Sequence, residues 1–172
     1  FLFDCPGQIE LYCHLDTMQR IIAHLQHNHG FNICTVFVLD CHFLTTARTY
    51  LACSVDALAA TLHLACPHVN IMTKVDMMGK KNQRKMRKIN KTDFHEVCNS
   101  GDARNSDKYR DYLTALADIM TDGMFGGFLP LDITDDKSIM AALLMINNAI
   151  SYGEDLEPKT KLMDNVDREE DE

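Results

Sequence analysis

Apolar residues fall along this chain in alternating strand-like and helix-like rhythms. Phe1-Leu2-Phe3, stopped by Asp4, reads as a strand already under way. Natural termini are usually polar and frayed, so such a start reads as the continuation of a longer protein. After the turn residues Pro6 and Gly7, Ile9, Leu15, Met18, Ile21, Ile22 and Leu25 recur near helical spacing. They predict an amphipathic helix over Ile9–Gln26, ended by Gly30. Ile33-Cys-Thr-Val-Phe-Val-Leu39, rich in β-branched and aromatic residues and stopped by Asp40, predicts a buried strand of a parallel sheet. The Ala- and Leu-rich stretch from Thr46 to Ala65 predicts a long helix stopped before Pro67, and Val69–Thr73 the next strand.

A basic helix is expected from Lys80 to Ile89, followed by loop or lid material from Asn90 to Ser106, which lacks periodicity. Tyr109 to Met120 reads as a helix with Leu113, Leu116, Ala117 and Met120 on one face. Gly126 to Leu131 reads as a short strand ending at Asp132. Thr134 or Asp135 can cap a last helix whose face is Ile139, Leu143, Ile146 and Ile150, with Gly153 beyond it as a C-cap glycine. Strand and helix alternate as in a doubly wound α/β domain, where ligands bind at the carboxyl ends of the strands. The chemistry should therefore follow the strands.

Composition narrows the field. The 172 residues, 46% apolar and 24% charged, are one domain's worth of an ordinary globular chain. The apolar run Ile33–Leu39, seven residues, is far below the ~20 needed to cross a bilayer, so no membrane association is expected. A net charge of −8 argues against an extended nucleic-acid surface. The total hides an asymmetry. Lys74 to Lys91 holds eight basic residues and one acidic, whereas Glu154 to Glu172 holds nine acidic and three basic. Both segments read as solvated surface, and the second as a disordered acidic tail beyond a domain ending at residue 153. Seven cysteines, an odd number without a C-x-x-C pair, read as reduced, mostly buried thiols of the cytosol or nucleus. His24, His27 and His29 lack the further ligands that a tetrahedral zinc site requires. Cys5, or Cys41 with His42, could serve a cysteine hydrolase only with a base and an orienting group, and adjacent side chains in an extended chain point to opposite sides.

Two strand ends carry more specific chemistry. Asp4-Cys5-Pro6-Gly7-Gln8 is a D-x-x-G followed by Gln: a carboxylate for Mg²⁺ through a water, a glycine amide free to approach a terminal phosphate, and an amide side chain able to orient a water. A plain strand-exit turn is the alternative. Thr73-Lys74-Val75-Asp76 suits guanine, whose N1–H and N2–H₂ can both donate to one carboxylate while lysine methylenes lie across the ring. An exposed Lys and Asp in a loop is the alternative there. The two motifs in this order, with one strand and two helices between them, support each other.

Phe3-Asp4-Cys5-Pro6-Gly7-Gln8-Ile9-Glu10-Leu11-Tyr12, with His14 beyond, closely resembles the signature of the GPN-loop GTPases, and Val69 to Asp76 and Tyr152 to Glu157 extend the likeness. The resemblance implies a mostly parallel, doubly wound α/β sheet of the P-loop NTPase type, with GTP and Mg²⁺ as ligands. Asp4 would serve magnesium and the phosphate end, Gly7 would touch the γ-phosphate, and Gln8 would position the water of hydrolysis. Thr73, Lys74, Val75 and Asp76 would hold guanine, with Leu129-Pro130-Leu131 at the place of a weaker base-contacting loop. The resemblance further implies pairing with a paralogous GPN-loop GTPase and a role in RNA polymerase II assembly and nuclear import. Polymerase subunits would then be partners of a cytoplasmic protein that shuttles to the nucleus.

Two departures qualify this. Cys13 stands where the family commonly has Thr, and the 172 residues contain neither G-x-x-x-x-G-K-[ST] nor a Gly-Pro-Asn triplet. The first loop supplies the amide cradle for the β-phosphate, so the chain alone is expected to be weak or inactive toward GTP. By family topology the first, central strand would lie between the strands of Phe1–Asp4 and Ile33–Leu39. Its absence would leave them about 10 Å apart, two strand spacings. The alternative function is a catalytically dead interaction module that binds a GPN-loop partner or polymerase subunits.

Overall fold

The structure, a computed structural model, describes residues 1–99, 110–122 and 125–153. The acidic segment from Glu154, and residues 100–106 at the end of the expected loop, lie outside the described residues. The elements are α1 (Glu10–Cys13), α2 (Asp16–His29), β1 (Thr35–Asp40), α3 (Ala47–Leu64), β2 (His68–Thr73), α4 (Lys80–Lys91), α5 (Phe94–Asn99), α6 (Arg110–Asp122), β3 (Leu129–Pro130) and α7 (Asp136–Ala149). Short 3-10 turns follow β1 (Cys41–Leu44) and β2 (Val75–Met77). The three strands form a parallel sheet in the order β1-β2-β3, the α/β architecture expected of a P-loop NTPase-type fold that lacks some strands.

Local chemistry explains most element ends. Thr46 accepts a hydrogen bond from the Thr49 amide at the start of α3, and Asp135 accepts from the Lys137 amide at the start of α7. Gly30 closes α2 at φ 66°, a left-handed geometry that glycine reaches without strain. Pro130 has no N–H to give a ladder, which fits its place on an edge strand and helps reduce the expected strand Gly126–Leu131 to two residues. The expected single helix from Ile9 instead breaks at Leu15, whose carbonyl accepts from His63 of α3. Part of the expected loop after Asn90 is the short helix α5.

Helices pack on both faces of the sheet, although Val36 and Val38 of β1 stay exposed. Phe37, Leu39 and Met72 join the main core with Tyr50, Leu51 and Leu58 of α3, Met86 of α4, Met120 of α6, and Phe94 and Phe128. Val69, Ile71, Cys34, Leu129 and Leu131 meet Ala142, Ile146 and Ala149 of α7 on the other face. This corrects the apolar face expected for α7: Ile139 and Leu143 are 41% and 47% exposed, while the small Ala142 is buried. Small side chains at 142 and 149 let the helix lie close to a narrow sheet. Among the described residues, no helix is long and apolar enough to cross a membrane.

The expected strand Phe1–Asp4 is a second correction. These residues pair with no strand and are exposed, Phe1 and Leu2 almost completely. A strand exists only through its ladder, and β1, next to which the likeness would seat a central strand, is an edge whose Val38 is 61% exposed.

Candidate functional site

The register of β1 on β2 places Asp40 opposite Thr73, so both strands end together at one rim. Thr73 Oγ1 donates to the Leu39 carbonyl at 3.3 Å, tying the two exits. Lys74 then takes a left-handed conformation, φ 60°, uncommon for a residue with a Cβ. This turn sends Val75 into the core, 4% exposed, and leaves Lys74 and Asp76 outside. Gln83, in the first turns of α4, clamps the loop from behind by donating from Nε2 to the carbonyls of Val75 and Met78, each at 2.9 Å. The four residues expected at the base are thus arranged as a buried anchor with a charged lip.

That lip is electrostatically coupled to β1. Lys74 Nζ donates to Asp40 Oδ2 at 2.9 Å, and the Asp40 Oδ1 atom accepts from the His42 amide at 2.9 Å and meets His42 Nδ1 at 2.7 Å. The His42 backbone N–H, then the Lys74 ammonium, then the His42 ring hold the Asp40 carboxyl well below the usual carboxylate range. Asp40 in turn raises Lys74. Burial pushes the Cys41 thiol up, and the charges of Asp40 and Asp76 add to it.

The Cys41–His42 pair does not point apart as an extended chain would require. The 3-10 turn brings Cys41 Sγ to 3.9 Å from His42 Nδ1. A hydrolase is still not assembled, because Nδ1 meets both the thiol and Asp40, whereas a triad needs the carboxylate and the nucleophile on opposite ring nitrogens. Cys41 is fully buried and donates to the Lys74 carbonyl at 3.2 Å. Burial likewise raises Cys13, Cys53, Cys98 and Cys34, the last to about 11. The expectation of mostly buried thiols holds in part: Cys41, Cys66 and Cys98 are buried, Cys13, Cys34 and Cys53 half-buried and Cys5 exposed.

The other motif lies elsewhere in the chain's packing. Asp4, Gly7 and Gln8 are exposed, and a Cβ at Gly7 would meet nothing within 4 Å. The Tyr12 hydroxyl donates to the Pro6 carbonyl. Tyr12 itself packs against the cluster of Ile22, Leu64 and Cys66, as does Ile33 just before β1. Among the described residues, no hydrogen bond or ion pair joins Asp4, Gly7 or Gln8 to Thr73, Lys74, Val75 or Asp76. Leu131, whose amide donates to the Met72 carbonyl at 2.7 Å, follows β3 next to the carboxyl end of β2.

Sequence reasoning missed two contributors to the rim. Asp40 was legible as an Asp ending a buried strand, the position where doubly wound sheets bind ligands. Gln83 carried no signal, since its role depends on where the loop carbonyls fall.

Comparison with known proteins follows the same lines. Residues 1–152 match a family described as "Conserved hypothetical ATP binding protein". The chain is 35% identical over 165 residues to GPN-loop GTPase 3 of Dictyostelium discoideum, covering 95% of this chain and 58% of that protein. It is 37% identical over 170 residues to GPN-loop GTPase 3 of Xenopus tropicalis, covering 98% and 59%. With GPN-loop GTPase 3 of Danio rerio it shares 37% over 159 residues, 92% and 55%. The chain thus spans less than two-thirds of the length of these relatives. No solved structure matches it.

Proposed function

This chain belongs to the GPN-loop GTPase family, and from that premise we propose that its Thr73–Asp76 turn recognises the guanine base of GTP. The observation that carries the reading is the exposed Asp76 beside Lys74 at the carboxyl end of the central strand, on a turn anchored by Val75 and Gln83. A carboxylate there accepts two hydrogen bonds from guanine and finds no such donor pair on adenine, a difference of ~1–3 kcal/mol in base recognition generally. Asp40 draws the Lys74 ammonium to one side, which leaves the lysine methylenes to cover the ring face.

Hydrolysis is proposed on the family resemblance, with Gln8 to position water and Gly7 to meet the γ-phosphate, and it requires their exposed segment, which among the described residues has no hydrogen bond to the Thr73–Asp76 turn, to close on the same nucleotide. Magnesium would act at Asp4, an exposed carboxylate that belongs to no group of three His, Cys, Asp or Glu donors among the described residues, so its remaining ligands would be waters and phosphate oxygens. The 172 residues lack the phosphate-cradling loop, so weak GTP binding and little or no turnover are proposed for this chain alone. On the family resemblance rest pairing with a paralogous GPN-loop GTPase, a role in RNA polymerase II assembly and nuclear import through its subunits, and a cytoplasmic location with shuttling to the nucleus.

The test is a titration of the isotope-labelled chain with millimolar GTP and ATP, followed by NMR shifts of residues 73–76. GTP should shift these residues at lower concentration than ATP, and Asp76→Ala should erase the difference. Equal response to both nucleotides, or a GTP preference surviving in Asp76→Ala, would refute base recognition here.

A second reading, an interaction module, is favoured by α7, whose Met140 and Leu144 are 62% and 60% exposed. If this face seats the paralogous GTPase, Leu144→Asp should abolish co-sedimentation with it and leave the circular dichroism of the chain unchanged.

A further inference from the structure

The turn at Asp40-Cys41-His42 brings three chemically different donors to one point. A carboxylate oxygen, a thiol sulfur and an imidazole nitrogen from these residues all lie within 4.8 Å of one another, and no other such group of three occurs among the described residues. Two separations are defined more closely: Asp40 Oδ1 to His42 Nδ1 is 2.7 Å and Cys41 Sγ to His42 Nδ1 is 3.9 Å. A tetrahedral zinc centre with its usual bond lengths spaces such donors by about 3.4–3.6 Å, so shifts on the order of 1 Å would complete the set.

From this convergence we propose that Asp40, Cys41 and His42 form a binding site for a single divalent transition-metal ion of the zinc class. The donor set selects the metal. Thiolate with imidazole and one carboxylate suits Zn²⁺ and its spectroscopic substitute Co²⁺, and is foreign to Mg²⁺, which demands oxygen ligands. The site is half open. Cys41 forms a buried floor, whereas the side chains of Asp40 and His42 are 25% and 55% exposed, giving the ion an entry path and a fourth position for water. Lys74 is the competitor: its ammonium holds Asp40 Oδ2 at 2.9 Å, so the metal would take Oδ1, which also accepts the His42 amide at 2.9 Å. Binding replaces the Cys41 thiol proton, which leaves to solvent, with a sulfur–metal bond, and no redox change is involved. Sharing Asp40 with Lys74 makes the ion and the guanine-binding turn neighbours.

The experiment uses the full 172-residue chain and Co²⁺ alone as the probe. Wild-type protein should develop a near-ultraviolet thiolate-to-cobalt charge-transfer band together with tetrahedral visible bands, and Zn²⁺ but not Mg²⁺ should abolish them. Cys41→Ser should lose the charge-transfer band. His42→Ala, at an exposed side chain that leaves the core intact, should weaken Co²⁺ binding by about tenfold or more. Lys74→Met should tighten it, and a double variant at His24 and His29, whose rings lie 5.4 Å apart, should leave the band unchanged. Absence of the band in wild type, its survival in Cys41→Ser, or unaltered affinity in His42→Ala would overturn the proposal.

Discussion

Lys74 Nζ stands 2.9 Å from Asp40 Oδ2, linking two residues 34 positions apart that end neighbouring parallel strands. The ion pair lies in high-dielectric surroundings, with the Lys74 side chain 56% exposed. Its contribution is to orientation rather than to stability. Lys74→Met is expected to leave the thermal midpoint almost unchanged while weakening GTP binding several-fold, because the lysine no longer lies over the base with its ammonium held aside. Calorimetric unfolding and the NMR titration, run on the same variant, check both halves.

Asn90 and Phe128 exchange a pair of hydrogen bonds: Asn90 Nδ2 donates to the Phe128 carbonyl at 2.8 Å, and the Phe128 amide donates to Asn90 Oδ1 at 3.0 Å. This staples the end of α4 to the segment entering β3, where Gly127 at φ 75° leaves the carboxamide room. Asn90→Ala leaves both backbone groups without those partners and should cost about 1–3 kcal/mol, measured by urea denaturation.

Phe128 also sits among aromatic rings, with Tyr50 and Phe125 at centroid distances of 6.0 and 5.5 Å, and is 2% exposed. Burial pushes the Tyr50 hydroxyl up to about 12. Phe128→Ala should destabilise the chain by about 3–5 kcal/mol, more than Asn90→Ala, because the cavity forms at the centre of a close-packed cluster. Denaturation midpoints of the two variants, compared side by side, test the order.

His68 opens β2, and its burial depresses its affinity for protons in the folded state. The unfolded chain therefore binds more protons as pH falls through the ordinary histidine value near 6.5. Stability from His68 is complete above that value and is lost on acidification through it toward the lower folded value. His68→Gln should show a smaller loss of thermal midpoint between pH 7 and pH 5.5 than wild type, and an equal loss would contradict the assignment.

Local patterning was enough for the helix α3, for a cap at Asp135, for the Gly30 stop, and for β1 and β2 as parallel strands, since each depends on neighbours within a few positions. It was not enough for the burial of β1, which was expected inside the sheet and is an edge with Val36 and Val38 37% and 61% exposed. It also carried the T-K-x-D turn, because strand exits in an alternating α/β chain mark the ligand rim. Other features escaped it. The face of α7 depends on the sheet surface it meets, so Ala142 went inward where Leu143 was expected. The Asp40-Cys41-His42 cluster depends on a 3-10 turn that no periodicity announces.

The amino-acid order by itself determined the helices α3, α4, α6 and α7, the strands β1 and β2, the Gly30 stop and the family, because these follow from short-range chemistry and from motifs read residue by residue. Only the tertiary structure decided that Asp40 sits beside Thr73 and Lys74, that Gln83 braces the turn, and that Phe1–Asp4 forms no strand. The reason is common to all three: a ladder, a clamp or a cluster requires partners distant in the chain, and their register is set by packing of the whole core.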